Sequence, residues 1–512
     1  MSRARAATTI LALLTASCSP HPTVQDPRPP VDLPDRYAQT SGDEREVAPE
    51  ESMPDEWWLA FGDPELTHLV DEALGRNFQL GAAWARLEQA EAGLQAANSG
   101  YWPQISTQLD VSRRRTVAVF GALGRQEFEN NSLGLSVPVS YEVDLWNRLG
   151  HQVTASGLEA LAGRDDVEAL AMTVVANVVE TWLNVVQQRA LRRLLEAQLE
   201  TNRTYAELVT LRFTHGLASA VDVYQQRQQL EATEAQLAQI DGAETIARQQ
   251  LAVLVGRAPG SFADGQIGQL PEPTTLPPLP PLPETGIPSH LLLTRPDVRA
   301  ARRRVTAQDH RLGAAIADQF PTFRFQASVG LSSPDLPGLL SSFVWSIAGS
   351  IMAPVLDGGR RAAEVRRNRA VLRERLQSFG QTLLTAMLEV ENALAQERQL
   401  VVQMENLEDQ VGAARSTLRE SRRRYAEGLS DYLPVLTALS SVQRLEQSIL
   451  STRRQLLSQR VQLARALGGT WTVELEPPPL PLPESTEDEA TEDDAADGRD
   501  DDLATEDREV EE

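Results

Sequence analysis

Residues 322–331 read TFRFQASVGL, a stretch in which every second residue is apolar. This alternation predicts a β-strand with one apolar and one polar face, because successive side chains of a strand point to opposite sides of a sheet. The apolar positions are Phe323, Phe325, Ala327, Val329 and Leu331. A helical pattern over 290–319 ends immediately before the strand at Phe320-Pro321, so the chain changes here from helix to strand.

A second strand and a long helical region follow. Alternation resumes, less strictly, from Phe343 to Val355, and strands are therefore expected at about 322–333 and 343–356. From Val355 to Leu433 the sequence contains no Pro and is rich in Ala, Leu, Gln, Glu and Arg, with apolar residues three and four positions apart. This composition and spacing predict long helices over about 359–468.

The first half of the chain has the same order of patterns. Residues 77–105 align with residues 295–323 without a gap at an offset of 218. Residues 212–217, RFTHGL, match residues 424–429, RYAEGL, at an offset of 212. Self-similarity at a nearly constant offset indicates two copies of one structural unit. The Gly in each of the matched hexapeptides favours a tight turn between two helices.

These patterns divide the chain into two repeats and a linker. We expect repeat 1 at 55–268, a stiff Pro-rich linker at 269–289 and repeat 2 at 290–471. In repeat 1 we expect an opening helix over 64–100, strands at about 104–115 and 131–145, and long helices over about 150–257.

The N-terminus has the pattern of an exported lipoprotein. Residues 1–17 combine two Arg, a short apolar stretch and small residues, which is typical of a signal peptide. Thr15-Ala16-Ser17 followed by Cys18 resembles a bacterial lipobox, which implies that Cys18 is acylated. In that resemblance Ser19 favours sorting to the outer membrane. Residues 18–54, rich in Pro and charge, are expected to be a lipidated, extended tether.

The charge of the chain excludes some functions. The formal net charge is −24, which argues against a nucleic-acid surface. Much of it lies in a Pro-rich, then acidic segment at 472–512, which we expect to be a disordered tail; residues 483–512 contain 16 Asp or Glu and two Arg. The histidines show no metal-ligand spacing, so we expect no metal site, no cofactor and no enzymatic activity; they are His21, His68, His151, His215, His290 and His310.

The length and two faces of the strands suit a transmembrane barrel, whose tilted strands cross the hydrocarbon in about 9–11 residues. A soluble sheet with one solvated face shows the same alternation. If the strands do cross a membrane, four of them cannot close a barrel, and an open edge in lipid leaves backbone groups without partners. Several chains must then pool their strands, in a number that an open edge does not fix.

A motif near the start of repeat 1 adds a resemblance to a known family. The stretch from Trp57 to Leu69, WWLAFGDPELTHL, is followed by Asn77, Ala83 and Arg86, and this order is similar to the opening of outer-membrane efflux lipoproteins of the TolC family. The two Gly turns resemble that family too, over about 57–471. The resemblance implies a mainly α-helical protein with a membrane β-barrel, in which a homotrimer forms a 12-stranded barrel on a long α-helical tunnel.

The resemblance also implies a function and partners. Such channels dock onto a periplasmic adaptor (membrane fusion) protein and an inner-membrane RND-type pump, and passively export drugs, metals or other small molecules. Acylated Cys18 would contact the outer-membrane lipids. One alternative is the channel of a type I protein secretion system. Another is an envelope scaffold of coiled-coil helices without a pore, against which the strand alternation counts.

Candidate site residues come from the same resemblance and from strand parity. A periplasmic gate is expected near the second Gly turn, at Arg419, Arg424 and Asp431, although Asp431 could instead cap the following helix. The turns themselves are expected to contact the adaptor, through Gly216, Leu217, Gly428 and Leu429. The alternation of side chains along each strand is the only basis for predicting that four charged residues face the barrel lumen: Asp110, Glu142, Asp144 and Arg324.

Overall fold

A computed structural model describes residues 19–24, 27–38, 55–119, 125–262, 275–283 and 291–477. The signal peptide expected at 1–17, Cys18 with its expected acylation, His290 and the tail beyond Pro477 lie outside these ranges.

Seven helices longer than ten residues make up most of the described chain. Their lengths show that each half of the chain has one helix of 67 residues followed by one of 35. The seven are α1 (Pro64–Arg76), α2 (Phe78–Asn98), α3 (Arg148–Thr214), α4 (Ala220–Leu254), α5 (Pro296–Ala317), α6 (Arg360–Ala426) and α7 (Leu433–Leu467). Shorter helical turns lie at Trp57–Phe61, Ser99–Tyr101, Leu291–Thr294, Leu336–Leu339 and Trp471–Glu474.

All described strands belong to one antiparallel sheet. They are β1 (Gln104–Ile105), β2 (Gln108–Val119), β3 (Arg125–Val143), β4 (Thr322–Ser333) and β5 (Phe343–Met352). The order is β1–β3–β4–β5, and β2 also pairs with β3 on the side of β1. The strand expected at about 104–115 is thus interrupted. Pro138 of β3 lies opposite the interruption. Its carbonyl accepts from the N–H of Ser106 at 3.2 Å, but Pro has no N–H to donate the second hydrogen bond of the pair.

The helix expected over 64–100 is two helices, α1 and α2. Asn77 separates them with an extended backbone, and its side-chain Oδ1 accepts hydrogen bonds from the N–H groups of Gln79 and Leu80. An Asn that caps a new helix in this way fixes the direction of that helix. The apolar periodicity continued across residue 77, which is why the sequence pattern predicted one helix.

Helix α3 provides much of the hydrophobic core. Its 18-residue window of highest mean hydropathy, 1.5, is apolar enough for a membrane helix, and no other helix in the described ranges passes this test of length and composition. However, 61% of that window is buried within the protein. Trp182 and Leu183 of α3 pack there against Leu66 of α1, Leu251 of α4 and Leu457 of α7. The apolar residues of α3 therefore serve the helical core.

Two equivalent glycines lie where the end of each helical hairpin packs against the helical segment that opens its own repeat. Gly256, after α4, has φ of +78°, and a methyl group placed on it would lie 2.4 Å from the carbonyl oxygen of Arg76. Gly468, after α7, has φ of +86°, and the corresponding methyl group would lie 2.9 Å from the carbonyl oxygen of Thr294. Both positions require the backbone freedom and the small size of Gly.

The N-terminal segment at 19–24 and 27–38, which we call the strap, lies against the helices. It has no helix or strand, as expected for a Pro-rich tether, but it is packed and not free. Tyr37 is only 2% exposed, in a core with Phe379 and Leu383 of α6. The N–H of Ala38 donates to Glu391 at 2.6 Å. The expectation of a simple tether was therefore incomplete, because the few apolar residues of the strap pack against the helical bundle.

Candidate functional site

The turns at the ends of the helices far from the sheet have the same backbone in both hairpins. Gly216 and Gly428 have φ of +72° and +73°. The N–H of Leu217 donates to the carbonyl of Arg212, and the N–H of Leu429 to that of Arg424, both at 2.8 Å. These are Schellman turns, which satisfy the last carbonyls of α3 and α6. Leu217 and Leu429 are each 63% exposed at the apices, where they are available to a partner.

The two turns use their matched side chains differently. In the first hairpin the guanidinium of Arg212 lies over the ring of Tyr425, 4.4 Å from its centroid, whereas Phe213 is 44% exposed. In the second hairpin the aromatic residue, Tyr425, is buried and Arg424 is exposed. This cation–π contact joins the tips of the two hairpins, together with a second one of Arg422 on α6 over the ring of Tyr205 on α3. Each tip presents a different side chain to solvent.

The three gate candidates lie on the exposed surface near these turns. Asp431 lines a cleft of about 890 Å³ between the two tips, together with Arg212 and Asp222. Asp431 does not cap the helix that follows, because α7 begins after Tyr432 and has no side-chain cap. Arg419 donates to Oγ of Ser416 at 2.8 Å. The positions of Arg419, Arg424 and Asp431 are compatible with a gate, which stays a prediction.

A buried network of amide side chains ties α7 to the first hairpin above the cleft. Nε2 of Gln443 on α7 donates to Oδ1 of Asn202 on α3 at 3.0 Å. Nε2 of Gln226 on α4 donates to the carbonyl of Asn202 at 2.9 Å, and Gln226 accepts from the hydroxyl of Tyr432 at 2.6 Å. Such directional bonds fix the register of the helices. No local pattern predicts this network, because a Gln on a helix has the same sequence signature whether it is buried or solvated.

Three of the four lumen candidates lie on strands, whereas Asp144 does not. Asp110 is exposed on β2, and Arg324 of β4 donates to Glu142 of β3 at 3.3 Å. Glu142 also accepts from Arg148 of α3 at 2.5 Å. Asp144 lies beyond the end of β3, so strand parity does not apply to it. Its carboxylate accepts from the N–H of Arg148 at 2.6 Å and of Gly150 at 2.9 Å, at the start of α3.

Three histidines that are distant in sequence meet where the helices approach the sheet. Nδ1 of His151 on α3 lies 3.0 Å from Nδ1 of His310 on α5, and Nε2 of His151 lies 2.9 Å from Oγ of Ser19. Nε2 of His21 lies 2.8 Å from Oδ1 of Asp309, whose Oδ2 accepts from the N–H of Val24 at 2.8 Å. The cluster therefore fastens the start of the strap to two helices.

The environments of His151 and His310 favour their neutral imidazoles. Burial lowers the pKa of His151, with a further lowering by His310 and His21. Burial likewise lowers the pKa of His310, against the opposing effect of Asp309. The ring of His151 also lies against Gly313 of α5, where a methyl group would approach Nε2 to 2.8 Å. The ranges described contain no group of three or more His, Cys, Asp or Glu that could hold a metal ion.

Comparison of the sequence with known proteins finds a family and several relatives. Residues 69–257 and 287–469 match the family described as outer membrane efflux protein. The chain is 30% identical to outer membrane protein OprJ of Pseudomonas aeruginosa over 470 residues, covering 90% of this chain and 95% of OprJ. It is 29% identical to the pyoverdine export outer membrane protein OpmQ of the same species, covering 81% of this chain and 87% of OpmQ.

A lipoprotein and a solved channel are also similar. The probable outer membrane lipoprotein SilC of Salmonella typhimurium is 26% identical, covering 87% of this chain and 94% of SilC. The solved structure of the outer-membrane channel OprN superposes with a TM-score of 0.80 at 25% identity, covering 89% of this chain and all of that one. These relatives are named as outer-membrane, export or channel proteins, and none of the names is that of an enzyme.

Proposed function

This chain belongs to the outer membrane efflux protein family, and we propose that three copies of it close one β-barrel above one helical duct. It is an outer-membrane channel component of an efflux pump, and it extends into the periplasm. We propose that export through it is passive. We also propose that each chain contributes two related repeats, and thus four strands when the interrupted β1 and β2 are counted as one, to a 12-stranded barrel.

The single observation that carries this proposal is the apolar face of the sheet. The strand register aligns Trp345 of β5 with Val329 of β4, and Val329 with Val137 of β3. Ile347 aligns in the same way with Ala327. On a single chain Trp345 is 67% and Ile347 is 74% exposed. A continuous apolar face of this kind requires either a protein partner or lipid to cover it.

The height of the apolar face fits a bilayer. Along β3 the face is apolar at every second residue from Leu133 to Val143. Ten residues at about 3.3 Å each, tilted by about 40°, span about 25 Å, which is the height of the apolar band in outer-membrane barrels. Beyond Leu133 the same face becomes charged, with ion pairs between β2 and β3: Arg113 with Glu129, and Arg115 with Glu127.

The edges of the sheet support the pooling of chains. In the described part of the chain β5 pairs only with β4, and β2 pairs only with β3. Both outer edges therefore present backbone N–H and C=O groups that would have no partner in lipid. Pairing of β5 of one chain with β2 of the next would satisfy these groups and close the barrel.

The partners follow from the same proposal. We expect a periplasmic adaptor protein at the turns containing Gly216, Leu217, Gly428 and Leu429, and an RND-type pump in the inner membrane. We also expect acylation of Cys18 to fix the strap to the membrane, an expectation that the likeness to the lipoprotein SilC supports. The names of OpmQ and of a toluene efflux pump outer membrane protein, TtgF, favour export of small molecules over protein secretion.

The first test is the mass of the protein extracted from outer membranes in detergent, corrected for bound detergent. We expect three chains, and steps of ionic conductance when the same preparation is added to a planar lipid bilayer. A monomer without conductance would contradict the proposed channel. A stable, conducting assembly with another number of chains would support the channel and contradict only the number three.

A further inference from the structure

The first sixteen residues of α6 are strongly basic. The segment Arg360–Arg375 contains seven Arg and two Glu, a net charge of +5 in a chain whose net charge is −24. It follows the last strand, β5, after a connection of seven residues in which Val355 and Leu356 are each 94% exposed. An exposed apolar connection followed by a basic helix is typical of a segment at a membrane surface.

Three of these residues, Arg366, Arg369 and Arg373, form what we call the arginine stripe. Of the other four arginines, Arg361 pairs with Asp318 at 3.0 Å and Arg367 pairs with Glu364 at 2.5 Å. Arg360 and Arg375 are exposed but lie on other faces of the helix. By contrast, the stripe residues are exposed and have no ion pair with any residue in the described ranges. Three unneutralised guanidinium groups on one helix form a surface suited to anions.

The strap shows which face of the bundle the stripe occupies. Gly380 of α6 touches the strap, because a methyl group on it would lie 2.6 Å from Cγ of Pro30. At about 100° of rotation per residue, the three stripe residues lie within about 40° of Gly380 around the helix axis. The strap begins next to Cys18, whose acyl chains must enter the membrane outside the barrel. The stripe therefore lies on the outer face and not in the duct.

Contacts between helices also give the height of the stripe. Ser19 contacts His151, and His151 lies against Gly313 of α5. Five residues before Gly313, Gln308 donates to Asn368 of α6 at 3.0 Å. Because α5 and α6 are antiparallel, Ser19 is level with about residue 363 of α6. At about 1.5 Å per residue, the stripe extends from about 5 Å to about 15 Å below that level.

We propose that the arginine stripe binds the phosphate groups of anionic phospholipids in the periplasmic leaflet of the outer membrane. The inference rests on the proposed channel and on acylation of Cys18. A guanidinium group binds a phosphate through two parallel hydrogen bonds, which makes Arg well suited to lipid headgroups at this height. The stripe and the acyl anchor then hold the same face of the bundle at two points, which fixes the height and tilt of each chain.

The test compares lipid retention by purified trimers. Delipidated protein is titrated with phosphatidylglycerol or phosphatidylcholine, and retained lipids are counted by native mass spectrometry. We expect the wild type to prefer phosphatidylglycerol, and Arg366→Gln/Arg369→Gln/Arg373→Gln to lose about tenfold or more of that preference. The matched control Arg192→Gln/Arg203→Gln/Arg227→Gln removes three exposed charges from α3 and α4, whose pairs are weak surface contacts, and should keep the preference.

A second measurement identifies the occupant in cells. A photo-reactive amino acid in place of Ala370, which is exposed between stripe residues, should form adducts with phospholipid, whereas one in place of Ala413 should not. Adducts with a peptide from the acidic residues 483–512, or with a neighbouring chain, would overturn the proposal. Equal retention of phosphatidylglycerol and phosphatidylcholine by the wild type would also overturn the proposal. Mass and conductance are recorded on the same preparation, so a conducting trimer without lipid preference contradicts only this inference.

Discussion

At the scale of single residues, Gly256 gives the clearest prediction for stability. A side chain there would need both a left-handed backbone and space that the carbonyl oxygen of Arg76 already occupies. We expect Gly256→Ala to lower the free energy of unfolding by about 2–5 kcal/mol, as the sum of backbone strain and overpacking. Thermal unfolding of the detergent-purified protein, followed by circular dichroism, measures the effect.

Gly216→Ala is the control for that substitution. Its φ of +72° is almost the same, but no atom lies within 4 Å of the added methyl group. Only the strain should remain, at about 1–2 kcal/mol. Equal losses from the two substitutions would show that close contact with α1 is not the reason for the glycine after α4.

Asp431 gives a prediction for the gate. If three copies of this carboxylate face one axis, their mutual repulsion favours a bound divalent cation, which bridges them and narrows the constriction. We therefore expect Asp431→Asn to raise the conductance of the resting channel about twofold or more and to weaken block by divalent cations. Asp409→Asn, which removes an exposed carboxylate farther along α6, should change neither property. Identical conductance of the two variants would remove Asp431 from the gate.

At the scale of elements, the strap is predicted to depend on pH. The groups that meet there are His21, His151, His310 and Asp309. The pKa values of His151 and His310 are lowered in the folded protein, so the state with a released strap binds more protons below about pH 6.5. Attachment of the strap is thus favoured above that pH and weakens as the pH falls. Hydrogen-exchange protection of residues 19–24 should decrease between about pH 7.5 and about pH 5.5.

Two variants separate this effect from general acid destabilisation. His310→Asn removes one titrating group from the cluster and should reduce the pH dependence, whereas His68→Asn, at an exposed position on α1, should leave it unchanged. Residues 27–38, which are held by Tyr37 and other contacts, provide an internal reference. Protection of 19–24 that is constant across this pH range would contradict the prediction.

The elements differ in how far the sequence could predict them. The strand β4 (Thr322–Ser333) lies where strict alternation placed a strand, because period-two patterning is a local property. The break at Asn77 had a local signal, an Asn before an apolar run, that the continuing periodicity obscured. The histidine cluster had none, since His21, His151 and His310 come from the strap and two helices. Contacts between distant elements depend on packing, which no local pattern encodes.

At the scale of the whole molecule, contact with a bilayer would make a charged substitution on the exposed apolar face costly. Ile347 is 74% exposed on one chain, where an Arg would cost little in a soluble protein. If this face contacts lipid, we expect Ile347→Arg to destabilise each chain by about 2–4 kcal/mol and to reduce the amount of heat-resistant trimer in outer membranes. Ser346→Arg, on the opposite face of the same strand, should assemble normally and change ion selectivity. Equal assembly of both variants would favour a soluble sheet.

The whole assembly was less accessible to sequence reasoning than its parts. The alternation of β3 and β4 indicated a two-faced sheet but not which medium covers the apolar face. The register shows that this face is continuous, because it places Val137, Val329 and Trp345 in one row across three strands. It does not distinguish lipid from a protein partner, which is why Ile347→Arg is the test. The number of chains follows from neither source alone, since an open sheet edge requires more copies without counting them.

The equal lengths of the paired helices have a consequence for stoichiometry. Since α3 and α6 both have 67 residues, about 100 Å, the two turns of a chain end at nearly the same distance from the membrane. Three chains with two turns each would then form a ring of six alternating apices. A partner that recognises only the shared Gly-Leu backbone would bind at two per chain, whereas one that distinguishes exposed Phe213 from buried Tyr425 would bind at one. The ratio of partner to channel in the docked complex therefore reports which of these features is recognised.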